Sequence, residues 1–196
     1  PLDTTLAIIQ ERECRGSSDS ERFLFSKTFE NYPELRDYGR ALSKDSMEDR
    51  GSRLKILKGL ALKEKIRPAI REKALLSWIA LVNKDAELAE VTEAWKGKEL
   101  HTWSWMKTGT KLLKRALYIK NWSAAAEIAE NFAEAEALQY GLNELRAMAY
   151  YQNGDRKKAW NLVKNLEGSP SRSPASVEDF DVIKNDLKNK YKGRSQ

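Results

Sequence analysis

His101 is the only histidine in the chain and Cys14 the only cysteine, and those two counts narrow the chemistry available. A zinc site built from several imidazoles is excluded, as are an internal disulfide and a cysteine metal cluster. Cys14 and His101 formally supply a nucleophile and a base, but nothing in the sequence around either supports that pairing. Beside Trp103 and Trp105, His101 reads as a partly packed residue at a helix start. Glu127, Glu130 and Glu134 follow one another at spacings of three and four, which puts them on one face of a helix, as acid/base pairs or metal ligands would stand. Without a histidine or a flanking motif, a solvated acidic face accounts for them. Neither GxxxxGK[ST] nor GxGxxG occurs, so no phosphate-cradling loop is legible. The expectation is a protein with no catalytic residues, no metal and no cofactor.

Two features suit binding better. Lys107, Lys111, Lys114 and Tyr118 recur at i, i+4, i+7 and i+11 and so share one helix face. A plain solvated face explains such lysines too. Six tryptophans, at 78, 95, 103, 105, 122 and 160, can stack nucleobases or fill gaps between helix layers, and the core role is favoured. The overall charge of +6 is uneven. Residues 50–120 carry a net +10, residues 1–49 and 121–153 a net −4 each, and residues 154–196 a net +4. The basic middle can attract acidic partners or nucleic acid.

The elements that must position these residues read as helices throughout. With 33% charged residues interspersed among apolar ones and few glycines or prolines, the chain favours helices joined by short turns. No apolar run of about 18 residues is present, so no transmembrane helix is expected. Helices are expected over 3–13, 20–31 and 33–42, the last opened by Pro33. A Lys/Arg-rich helix follows over 47–65, weakened by Gly51 and Gly59, and another starts at Pro68. Asp85 reads as a cap for the helix ending at Gly97, and Ser123 as the cap after the turn at Asn121. Ser176 with Asp179 resembles a capping box at the start of a last helix, which puts Phe180, Ile183 and Leu187 on one face.

Self-similarity then shapes the fold expectation. Ala125 and Ala159 lie 34 residues apart, as do Ala116 and Tyr150, Trp122 and Arg156, and Ala129 and Val163. Over 139–170, Ala147, Tyr150, Gly154-Asp155, Ala159, Val163, Leu166 and Pro170 resemble a tetratricopeptide repeat. Over 102–135, Leu112, Ala116, Ala125, Ala129 and Phe132 resemble a second copy, with Leu113 at the usual small position and Lys120 at the usual turn glycine. The helices around Trp78 and Trp95 form a looser third. The resemblance implies an all-α fold: antiparallel helical hairpins stacked as a TPR-like α-solenoid, closed by a C-terminal capping helix over 176–192. Residues 1–66 form an N-terminal helical region and 67–196 the repeats, or the two are one continuous domain.

The resemblance also implies a groove lined by the first helix of each pair. It assigns Lys107, Lys111, Lys114 and Tyr118 to that groove, with Glu144, Met148, Tyr151 and Gln152 from the next repeat. Lys114 stands where the chaperone-binding members hold an asparagine, which argues against a chaperone-tail receptor. The function expected is a non-enzymatic scaffold or adaptor for a protein or peptide, an acidic one suiting the lysines. RNA or DNA binding through residues 50–120 is the alternative. The single cysteine leans toward a cytoplasmic setting, and the start at Pro1 is compatible with a signal peptide or lipid anchor removed upstream.

Overall fold

The structure, a computed structural model, describes residues 32–42, 49–97, 102–132, 142–166 and 177–192. The expected helices over 3–13 and 20–31, Cys14, His101, Glu134 and the Ser176 cap lie outside the described residues. Among those described the protein is all-α: nine helices and no strand. They are α1 (Pro33–Leu42), α2 (Arg50–Leu62), α3 (Pro68–Leu81), α4 (Asp85–Lys96), α5 (Thr102–Tyr118), α6 (Trp122–Glu130), α7 (Leu142–Gln152), α8 (Arg156–Asn165) and α9 (Val177–Lys192). None is long and apolar enough to cross a membrane.

The chain divides into two compact units between Val82 and Asn83. α2 and α3, which flank residues 66 and 67, pack closely within the first unit. Leu57, Leu60 and Ala61 of α2 meet Ile70, Ala74, Trp78 and Ile79 of α3 in its core, with Leu35 and Tyr38 from α1. Asp49 caps α2 by accepting the Ser52 amide at 2.6 Å. Two arginines of α2 close other helix ends: Arg53 Nε donates to the Ala41 carbonyl at 2.6 Å and Arg50 to the Leu81 carbonyl at 2.7 Å. A cation at the carbonyl end of a helix meets both orphan acceptors and the negative end of the dipole.

The second unit, α4 to α9, is built by neighbours in sequence. α5 packs on α6, α6 on α7, α7 on α8 and α8 on α9, while α5 and α9 also touch α7. Its two tightest turns share one geometry at an offset of 34 residues. Lys120 and Gly154 adopt left-handed φ values of 62° and 89°. Asn121 N donates to Ala116 O at 3.0 Å, and Asp155 N to Tyr150 O at 2.8 Å. Asn121 and Asp155 then cap α6 and α8 through the amides of Ala124 and Lys158. The cap of α6 is therefore Asn121 rather than Ser123, because the asparagine already sits where its side chain reaches the third amide on. At α4 the Ncap is Lys84, and Asp85 is the first helical residue, its carboxylate taken by Asn121 Nδ2 at 2.9 Å.

Ala125 and Ala159 are both fully buried at the same offset, as are Ala129 and Val163. Small side chains there let paired helices approach. A second close approach is set by Gly109 on α5. A Cβ at that position would stand 2.4 Å from the Trp95 ring and 2.7 Å from that of Phe132. Trp95 stacks on Trp105 at 4.6 Å, with Phe132 edge-on to Trp105, and the Trp95 indole N–H donates to the Trp105 carbonyl. The aromatic cluster fills the space that the missing Cβ leaves free.

Candidate partner-binding face

Seventeen residues of α5 carry a buried side and an open one. Met106, Leu112, Leu113 and Ala116 point inward. Lys111 and Lys114 are exposed, Lys107 is half-buried, and Tyr118 is 74% exposed. The Arg115 guanidinium lies 4.8 Å from the centre of the Tyr118 ring, which holds that aromatic face beside a cation. An exposed tyrosine of this size next to lysines can bury apolar area while its neighbours meet carboxylates or phosphates.

α7, which packs beside α5, contributes less open surface than the sequence suggested. Gln152 is exposed and Met148 half-buried, but Glu144 is buried. Tyr151 is turned toward the last helix: its hydroxyl donates to Asp186 Oδ2 at 2.8 Å, and Arg156 approaches the same carboxylate oxygen at 3.2 Å. The Arg156 guanidinium also lies 5.0 Å from the Tyr151 ring. Donation to Asp186 stabilises the neutral phenol and holds the Tyr151 pKa above its ordinary value, with partial burial adding to the effect and Arg156 opposing it. α9 is thereby pinned at the C-terminal end of α7, while Phe180, Ile183 and Leu187 bury its apolar side.

The acidic face of α6 is committed to neighbouring helices. Glu127 pairs with Lys96 at the end of α4, and Glu130 pairs with Lys158 in α8. Both lysine pKa values are raised, chiefly by hydrogen bonding to those carboxylates. These glutamates thus join α6 to α4 and to α8 rather than facing one another as a catalytic pair. Among the described residues no group of three His, Cys, Asp or Glu side chains is placed to hold a metal. The tryptophans are shared between core and surface layers. Trp78 and Trp95 are buried, Trp160 lies flat on Tyr191 with ring centres 5.8 Å apart, and Trp122 is half-buried.

Arg146 is the residue that sequence reasoning passed over. It is 3% exposed, and its Nε donates to the Ala129 carbonyl at 3.2 Å while Nη1 donates to Asn143 Oδ1 at 3.0 Å. At the 34-residue offset it corresponds to the fully buried Leu112. A lone basic residue among five acidic ones over 121–153, at a position whose counterpart 34 residues earlier is apolar, was the available signal.

No family model matches the chain, and comparison with curated proteins and with solved structures also finds no match.

Proposed function

We propose that the chain is a non-catalytic helical-repeat module of the tetratricopeptide type, which binds a protein or peptide along the face shared by α5 and α7. The observation that carries this reading is the pair of hairpin turns matched at 34 residues, in φ, in cap and in hydrogen bonding. Matched turns give α5 and α7 equivalent roles, so the side chains they expose form one continuous surface. Lys111, Lys114 and Tyr118 supply that surface with charge and an aromatic anchor, and Gln152 and Met148 extend it. Its chemistry suits a partner segment that carries carboxylates beside an apolar residue.

The decisive experiment is affinity capture with the intact chain, compared with a Lys107→Glu, Lys111→Glu and Lys114→Glu variant. Loss of the captured protein with an unchanged melting curve supports the face. Retention of the same partner by the variant removes it. Nucleic-acid binding is the second reading, favoured by the net +10 over residues 50–120. It predicts affinity that falls steeply and log-linearly with salt, with a slope set by the phosphates neutralised. A peptide anchored by apolar contacts has a shallower slope.

A further inference from the structure

The first unit contains a groove of about 800 Å³ that nothing above uses. α1 forms one wall with Glu34, Asp37 and Arg40, and α2 forms the other with Lys55, continued by Lys63 just past its end, while Lys65 lies in the turn into α3. Pro33, Ile56, Leu60 and Ile66 line it with apolar surface. The three lysines are exposed and form no ion pair among the described residues, and the two carboxylates are half-buried. The α1 wall therefore carries two carboxylates with Arg40 beyond them, and the facing side carries lysines alone, over an apolar lining.

Gly59 points to an occupant independently. It lies in the interior of α2, where glycine weakens a helix relative to alanine. It is exposed on the groove, and a Cβ built there meets nothing within 4 Å. Among the described residues no packing calls for a glycine at this place. What a bare backbone on a helix surface does allow is the close approach of another backbone.

We infer that the groove between α1 and α2 is a docking site for an amphipathic α-helix of a partner protein, seated over Gly59 with an acidic flank toward Lys55 and Lys63 and a basic flank toward Glu34 and Asp37. The occupant is a helix because both walls are helices and offer no strand edge. An extended peptide on the apolar lining would leave its own amides and carbonyls unpaired, whereas a helix satisfies them internally. α1 is 10 residues long, which at 1.5 Å per residue gives a wall of about 15 Å and room for roughly three turns of partner helix. A uniformly acidic helix gains from the lysines and is repelled by Glu34 and Asp37. A uniformly basic one meets the reverse.

The test uses the full chain and fluorescein-labelled synthetic helical peptides of roughly 14 residues with one leucine ridge. Their flanks are Glu/Lys, all Glu or all Lys, and a fourth peptide is the Glu/Lys form broken by a central proline. The Glu/Lys peptide is expected to bind tightest in fluorescence anisotropy, and the proline form not to bind. Lys55→Glu with Lys63→Glu should weaken the Glu/Lys peptide by about tenfold and strengthen the all-Lys peptide. Gly59→Ala should raise the melting temperature and lower affinity, and Gly59→Leu should abolish binding while the chain stays folded by circular dichroism. The inference is overturned if no peptide binds at millimolar concentration, if the all-Glu peptide binds best, or if Gly59→Leu leaves affinity unchanged. It is also overturned if a single-stranded RNA oligomer outcompetes every peptide and is indifferent to Gly59.

Discussion

At the scale of single residues, the two left-handed turn positions make opposite use of the same backbone. Gly154 adopts φ 89° with no Cβ to object, whereas Lys120 holds φ 62° against the steric preference of an L side chain. Relief of that strain outweighs the extra freedom glycine gives the unfolded chain. Lys120→Gly should therefore stabilise the second unit by about 0.5–1 kcal/mol. Gly154→Ala should destabilise it by roughly 1 kcal/mol despite the open space around it. Denaturant midpoints at constant m-value measure both. A destabilised Lys120→Gly would mean that the lysine side chain contributes more at that turn than its backbone costs.

Helices and their joints were partly legible in the sequence, and the pattern of what was missed is instructive. Pro33 marked the start of α1, and the spacing of alanines at 34 residues anticipated that Ala125 and Ala159 would be buried alike. Local signals suffice there because proline geometry and small-residue packing act within a few residues. Asn121 against Ser123 was harder, since both types cap helices and only the backbone trajectory chooses between them. Of the eight residues assigned to a groove, Lys111, Lys114, Tyr118 and Gln152 are exposed. The burial of Glu144 and the turning of Tyr151 toward Asp186 depend on neighbouring helices that periodicity alone does not place.

Arg146 belongs to the same class and gives a prediction at this scale, because it joins α7 to the carbonyl end of α6. Arg146→Ala removes charge-assisted hydrogen bonds and a buried stem together, for an expected loss of roughly 2–4 kcal/mol. Arg146→Met keeps the stem at a position where Leu112 serves the earlier helix, and the Ala129 carbonyl still accepts the Phe132 amide. Its expected cost is about 1 kcal/mol. Equal losses in the two variants would show that the hydrogen bonds, and not the packing, hold the joint.

Joints of another kind respond to pH, and all in one direction. The pKa values of Lys96 and Lys158 are raised from 10.5 by Glu127 and Glu130, and those of Tyr150 and Tyr151 are raised from 10.0 by burial and by Asp186 respectively. A raised pKa means that the folded state holds the proton more tightly, so each contribution is complete below the ordinary value and is lost as pH climbs through the raised one. The melting temperature should be level through neutral pH and fall above about pH 10. Tyr151→Phe should flatten part of that fall, because without the phenol there is no anion to form beside Asp186. A fall of the same steepness in that variant would remove Tyr151 from the account.

For the whole molecule, the division between Val82 and Asn83 has a thermodynamic consequence. Buried apolar residues of the second unit run from Leu88, Val91 and Trp95 of α4 to Phe180, Ile183 and Leu187 of α9. A unit whose buried apolar residues are supplied by its own helices needs no other segment to fold. Residues 83–196 made alone should therefore be helical and unfold in one cooperative transition, with the Trp95–Trp105–Phe132 cluster giving a native near-ultraviolet dichroism. On the proposed repeat reading each helix pair leaves an apolar face that only its neighbour covers, which gives α4 at one end and α9 at the other the burden of closure. Deleting α9 should expose Tyr151 and the apolar side of α8 together, and the fragment ending at 166 should melt at lower temperature and self-associate. If that shorter fragment melts unchanged and stays monomeric in sedimentation, α9 is an appendage rather than the closing helix of the second unit.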